Sequence, residues 1–180
     1  MARSSAWVWW LLGGVAAIAA LTAGGVAVNN WWMDSQEAKK WAPALAAAEQ
    51  QYGLPAGLLS RQAYEESGFQ PAVIDGTQAS SAGALGILQM MPQYFSSVQV
   101  PTPFTDADVE AQIQQAAAYD AQLYQQFGDW GLALMAYNWG PGAVSSWLNG
   151  GANPANVPGQ TSTYANAIIG SLPNVTSAYA

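Results

Sequence analysis

The sequence predicts a mainly α-helical protein: a single N-terminal transmembrane helix followed by one globular domain. Three observations carry that reading. Residues 7–28 contain no charged side chain. Beyond them, apolar residues recur at three- and four-residue spacing in segments that stop at Gly or Pro, the pattern of amphipathic helices. The rest of the 180-residue chain has room for one core. The chain therefore divides into residues 1–33 as anchor, 34–172 as the folded domain and 173–180 as a loosely held tail.

Composition narrows the chemistry. The chain has no Cys and no His, a net charge of −7 and four Lys or Arg in all, none of them after Arg61. His/Cys zinc sites, Ser-His-Asp and Cys-His catalysis, haem ligation and disulfide scaffolds are thereby excluded. No metal or cofactor is expected, and carboxyl chemistry is left as the main enzymatic option. A nucleic-acid partner would want a basic stripe, which this sequence lacks.

Taken in order, the 22 residues 7–28 reach roughly 33 Å as a helix, against a hydrocarbon core of about 30 Å. Trp7, Trp9 and Trp10 at one end and Trp31 and Trp32 at the other fit aromatic belts. Arg3 favours the amino terminus inside and the domain outside the cytoplasm, although Lys39 and Lys40 weaken that bias. The alternative is a cleaved secretory signal with Gly25-Val26-Ala27 near the cleavage site. Either way the domain is exported.

Residues 35–52 read as a helix through Trp41, Leu45 and Ala48 or Glu49, with Pro43 best placed in the first turn. Gly53 ends it. The spacing predicts a second helix over 54–69, with Pro55 in its first turn and Gly68 as a left-handed stop. Leu59, Ala63 and Glu66 fall at i, i+4 and i+7, so Glu66 lies on the apolar stripe, while Glu65 pairs with Arg61 at the surface. Burial and the negative end of the helix dipole both push the Glu66 pKa up, which is what a general acid needs. Taken alone, the plainer reading is a glutamate that turns back to solvent.

Residues 70–82 form a loop that covers or approaches Glu66; Asp75 within it is first a turn signal and second a candidate carboxylate. Gly83 to Gly86 make a tight turn, and Gln89 follows with an amide able to hold a polar ligand; a simple bend before a helix closed by Pro92 is the alternative. Thr105 or Asp106 caps a long helix whose core face is Val109, Ile113, Ala116, Leu123 and Phe127. Asp120 shares that stripe and is read as a tilted edge residue in preference to a buried polar group. Asp129 caps a helix over 130–137, which ends at Tyr137, Asn138 and the sharp Gly140-Pro141-Gly142 turn. A loop over 149–160 leads to a last helix over 162–171, with Tyr164, Ile168 and Leu172 along one face.

Four of these stretches, in this order, resemble the catalytic domain of the soluble lytic transglycosylases, relatives of goose-type lysozyme that cut bacterial peptidoglycan. They are Glu66-Ser67-Gly68-Phe69; Ser80 with Gly83-Ala84-Leu85-Gly86-Ile87-Leu88-Gln89-Met90-Met91-Pro92; Phe127-Gly128-Asp129-Trp130; and Ala136-Tyr137-Asn138-Trp139-Gly140-Pro141-Gly142. The chain departs from the pattern in a longer loop between Phe69 and Ser80, in Leu88 for Met, in Trp139 for a small residue and in Asp120 at an apolar position.

The resemblance implies an α+β lysozyme-like fold in which Glu66 is the sole essential acid and base. The activity implied is cleavage of the β-1,4 bond between N-acetylmuramic acid and N-acetylglucosamine with closure of a 1,6-anhydro ring. It further implies that Tyr137 hydrogen-bonds and orients Glu66, that Gln89 and Asn138 hold the sugar's acetamido groups or peptide, and that Tyr164 lines the cleft. Ser80 belongs to the same block, and Gly83 and Gly86 would let backbone approach the sugar. The expected partners are peptidoglycan strands, a membrane through residues 7–28, and a virion or secretion apparatus that must cross the wall. A lysozyme-like hydrolase using Asp75, or a wall-binding module without catalysis, are the competing readings.

Overall fold

The computed structural model describes residues 31–180, so the expected membrane helix over 7–28 lies outside the described residues. Among the described residues no helix is long and apolar enough to cross a membrane.

Seven α-helices follow a short 3₁₀ turn at Trp31–Met33: α1 Gln36–Tyr52, α2 Leu58–Ser67, α3 Pro71–Ile74, α4 Asp106–Phe127, α5 Trp130–Trp139, α6 Pro141–Asn149 and α7 Gly159–Ile169. The centre is α5. Six consecutive residues, Gly131 to Ala136, are buried in it, as expected of a helix apolar on all sides. It packs against α4, α6 and α7, while α1 lies across α4 and α2. No strand forms among the described residues; the expected β part reduces to one antiparallel bridge, Leu85 to Met90. The turn between them holds Gly86 and Gln89 at positive φ, and Pro92 follows at once, so a longer ladder has no extended backbone to grow on.

Helix starts follow capping chemistry. Ser35 Oγ accepts from the Ala38 N–H at 3.0 Å and starts α1 seven residues before the proline expected to open it. Pro43 then sits inside the helix on its exposed side. The buried face of Ala38, Trp41, Leu45 and Ala48 offsets the missing hydrogen bond. Thr105 and Asp108 form a reciprocal capping box on α4, and Asp129 caps α5 through the Leu132 N–H.

The start of α2 is later than the spacing suggests, and its cap is remote. Gly57 precedes it in a left-handed conformation, with no side-chain cap of its own. Glu49, 4% exposed on α1, supplies the acceptors: Oε2 takes the Gly57 N–H at 2.8 Å, and Oε1 takes Leu59 at 2.9 Å and Ser60 at 3.2 Å. A carboxylate at a helix N-terminus also complements the dipole.

The tail is tied down, contrary to expectation. Ser177 Oγ donates to Asp129 Oδ1 at 2.6 Å, Tyr179 meets Trp147 edge-on, and Val175 and Ala180 pack against the core. Gly131 makes room for this: a Cβ there would stand 2.2 Å from Ser177 Oγ.

Replacing Glu49 by Ala removes three hydrogen bonds to a helix start. The expected loss is about 3 kcal/mol of stability, read as a lower urea midpoint at unchanged slope.

Candidate active site

The Glu-Ser-Gly-Phe stretch is a helix stop. Ser67 Oγ donates to the Ala63 carbonyl at 2.8 Å and accepts from the Phe69 N–H at 3.3 Å. Gly68 and Phe69 both take positive φ, 58° and 51°, which swings the chain sharply away and drops Phe69 into the core at 3% exposure. Glu66 is left on the last turn of α2, on the wall of a cleft of about 1280 Å³.

Tyr164 of α7 donates its hydroxyl to Glu66 Oε1 at 2.7 Å. Here the structure differs from the resemblance-based expectation, because Tyr137 donates to the Leu88 carbonyl at 2.8 Å instead. Tyr137 braces the 83–92 turn, and Tyr164 orients the carboxyl. Burial pushes the Glu66 pKa up to about 8; the Tyr164 hydrogen bond works against that shift and the neighbouring Glu65 charge adds to it. Glu65 also lines the cleft, but it is ion-paired to Arg61, and the pair is largely shielded rather than exposed as expected.

The other expected residues are only partly gathered here. Ser80, Gln89, Tyr137 and Asn138 line the cleft; Gly83 and Gly86 do not. Gln89 donates to the Gly86 carbonyl at 3.0 Å from a backbone held at φ 45°. Asn138 Oδ1 accepts from Thr161 at 2.8 Å, so its amide nitrogen is what it has to offer a ligand. Ser80 Oγ accepts from the Ala84 N–H at 2.9 Å and so shapes the turn. Gly86 is needed for packing: a Cβ there would stand 1.9 Å from Gln112 Oε1 of α4. Gly83 meets nothing and serves the turn through its φ of 84°.

Asp75 is absent from the cleft wall. Its Oδ1 accepts from the Thr77 N–H at 2.9 Å and the Thr77 hydroxyl at 2.6 Å, an Asx turn. The lengthened loop does reach the cleft, through Gln70, Val73 and Gln78, and Trp139 lines both the cleft and a smaller hollow beside α6.

Asp120 differs from the expectation drawn from its spacing. It is 1% exposed, not a helix edge, and Oδ1 accepts from Gln62 Nε2 at 3.4 Å. Gln62 lies one turn before Glu66 on α2, and that i, i+4 spacing was the available signal. Asp120 Oδ2, Gln62 Oε1 and both polar atoms of Gln112 are buried with no hydrogen-bond partner among the described residues. Burial holds the Asp120 carboxyl well above its usual range, and the nearby Glu66 charge adds to that.

A largely helical domain with a deep cleft, and on its wall a strongly raised carboxyl, Glu66, beside the ion-paired and more modestly shifted Glu65, is a lysozyme-like domain, and known structures agree. The 70 kDa soluble lytic transglycosylase of Escherichia coli superposes with a TM-score of 0.58 at 25% identity, over 81% of this chain and 28% of that one. An inactive mutant of lytic transglycosylase Slt from Pseudomonas aeruginosa gives 0.56 at 24% identity, over 72% and 23%. The family described as "Transglycosylase SLT domain" matches residues 43–156, and the chain belongs to that family. Among its relatives is the "Transglycosylase" of Enterobacteria phage PRD1, 30% identical over 142 residues, 78% of this chain and 49% of the phage protein. The soluble lytic murein transglycosylase of Escherichia coli K12 is 35% identical over 98 residues, 50% of this chain and 14% of that protein. The chain thus spans about half the phage relative's length and a small part of the enteric one's.

Three outcomes are expected. In a ¹³C titration the Glu66 carboxyl changes with a midpoint near 8. Tyr164→Phe moves that midpoint higher, because a donor that favours the carboxylate is lost. Asp120 has its folded pKa raised above the unfolded one, so its contribution to stability is full below about pH 4 and is lost as pH rises through the folded value. Asp120→Asn should therefore raise the melting temperature at pH 7 by on the order of 5 °C, with the gap closing near pH 4.

Proposed function

We propose that the protein is a peptidoglycan lytic transglycosylase. The observation that carries this is the carboxyl inventory of the cleft: Glu65, neutralised by Arg61, and Glu66, raised to about 8 and held by Tyr164. Hydrolysing glycosidases divide the work between two carboxyl groups at set separations. A cleft with one free acid supports a reaction in which the same group gives and takes the proton.

In that reaction, protonated Glu66 gives its proton to the oxygen between N-acetylmuramic acid and N-acetylglucosamine as the C1–O bond breaks. The resulting carboxylate then takes the proton of the muramyl 6-hydroxyl while that oxygen bonds to C1 and closes the 1,6-anhydro ring. Water is not consumed, and Glu66 ends protonated as it began. A pKa near neutrality suits both halves. Asn138 and Gln89 supply amide groups for acetamido or peptide recognition, and Tyr137 keeps the turn that carries Gln89 in place.

The hydrolase reading is weaker because Asp75 is spent on its own turn and lies off the cleft. The family names given to the relatives favour catalysis over a purely wall-binding role. Action outside the cytoplasm, anchored through residues 7–28, rests on the apolar run in the sequence. A place in a virion, opening the wall locally, is supported by the phage relative.

Digestion of purified sacculi should yield 1,6-anhydro muropeptides, read by mass as products lacking added water. Glu66→Gln should lower the rate by about 10³ or more. Reducing ends carrying water from the wild-type digest would replace the lyase by a hydrolase.

A further inference from the structure

Four large apolar side chains stand exposed among the described residues: Trp31, Tyr94, Tyr124 and Tyr179. Three have a ring for a neighbour. Trp31 meets Tyr64 edge-on, Tyr124 stacks on Trp130 and Tyr179 meets Trp147. Tyr94 is the most exposed of the four at 76%, has no ring against it among the described residues, and lines the same cleft as Glu66.

Its placement is built by the segment around it. The Met91 carbonyl accepts from the Tyr94 N–H at 2.9 Å and the Phe95 N–H at 3.1 Å, closing a turn. Gln99 Nε2 donates to the Pro92 carbonyl at 2.6 Å. Phe95, the next residue, is the anchor: its ring meets Tyr119 of α4 edge-on at 5.2 Å. Neighbouring residues are thus held down while the Tyr94 ring is left at the cleft wall. A lone exposed aromatic is ordinary on an open surface, but one on a cleft wall beside polar side chains is placed to meet a ligand.

The chemistry of that ligand follows from the surroundings. Gln93 and Gln122 line the same cleft, as does Gln115, whose amide is engaged by Ser96 and Ser97, and no Lys or Arg does. Uncharged amides with one flat ring match a hexopyranose, whose C–H face is apolar and whose rim carries hydroxyl and acetamido groups. Tyrosine adds a rigid ring with few rotors to freeze.

We propose that Tyr94 is a glycan-binding residue, a stacking platform that holds one sugar ring of the strand in the cleft and sets affinity and register without taking part in proton transfer. This rests on the glycan-cleaving reading above. The test measures binding of an N-acetylglucosamine tetramer to the full chain carrying Glu66→Gln, and kinetics on sacculi with Glu66 intact. Tyr94→Ala should weaken tetramer binding and raise KM by about tenfold each, with kcat within about twofold. Tyr94→Phe and Tyr94→Trp, which keep the ring, should stay near the parent in both. Unchanged binding and KM in Tyr94→Ala would overturn the platform, as would a loss in Tyr94→Phe equal to that in Tyr94→Ala. If the parent makes no anhydro product while Tyr94→Ala still weakens tetramer binding, the platform stands and the lyase reading falls. Anhydro product with KM unmoved by Tyr94→Ala gives the reverse.

Discussion

The place of Glu66 on the cleft wall depends on where α2 begins, and a carboxylate on another helix fixes that point. Glu49 of α1 spans the Gly57, Leu59 and Ser60 N–H groups, while Gly68 and the Ser67 hydroxyl close the far end. Between these locks lie ten residues. A register slip of one residue would turn each side chain by about 100° around the axis and carry Glu66 off the cleft wall. The two ends are stitched by polar groups inside an apolar core, where a hydrogen bond left unmade is costly, and this makes the register unique.

The same logic runs behind the wall. Gln62 and Asp120 place a second carboxyl among buried groups, with acceptors and donors left unpaired. Such groups reduce stability, and Gln62 among them sits one helical turn before Glu66 on α2. Glu66 itself is balanced between opposing influences: burial and Glu65 favour its neutral form, Tyr164 its charged form. In the proposed reaction Glu66 releases a proton and then recovers it, and that balance would serve both halves, since a pKa far to either side would slow one of them.

What could be read from the sequence follows the range of the forces involved. The position of Glu66 at a helix end, the Gly68 stop, the caps of α4 and α5 and the Gly140-Pro141 break are set by neighbours within four residues, and each is visible as a local pattern. The partner of Glu66 is 98 residues away in the chain, and the choice of Tyr164 over Tyr137 is made by how α7 lies against α2. Asp120 looked like an edge residue because an isolated buried carboxyl is rare; its Gln62 partner is on a different helix. The cap of α2 was hidden for the same reason, with Glu49 legible only as a residue at helical spacing. Tyr94 carried no periodic signal, and only the turn that presents it sets it apart.

One feature of composition acquires its meaning from the site. No Lys or Arg follows Arg61 in the chain, and none lines the cleft. A cation within a few ångströms of Glu66 would favour its charged form and draw its pKa back down, removing the proton on which the proposed first step depends. Arg61, also on α2, pairs with Glu65 and lies over the Trp32 and Tyr64 rings. On the proposed function, substrate would be held by amides and aromatic rings, which gain little from long-range attraction and are little screened by salt. On the proposed mechanism, a cleft without Lys or Arg and a raised Glu66 carboxyl answer one constraint: an acid that must hold its proton near neutrality is best kept away from positive charge.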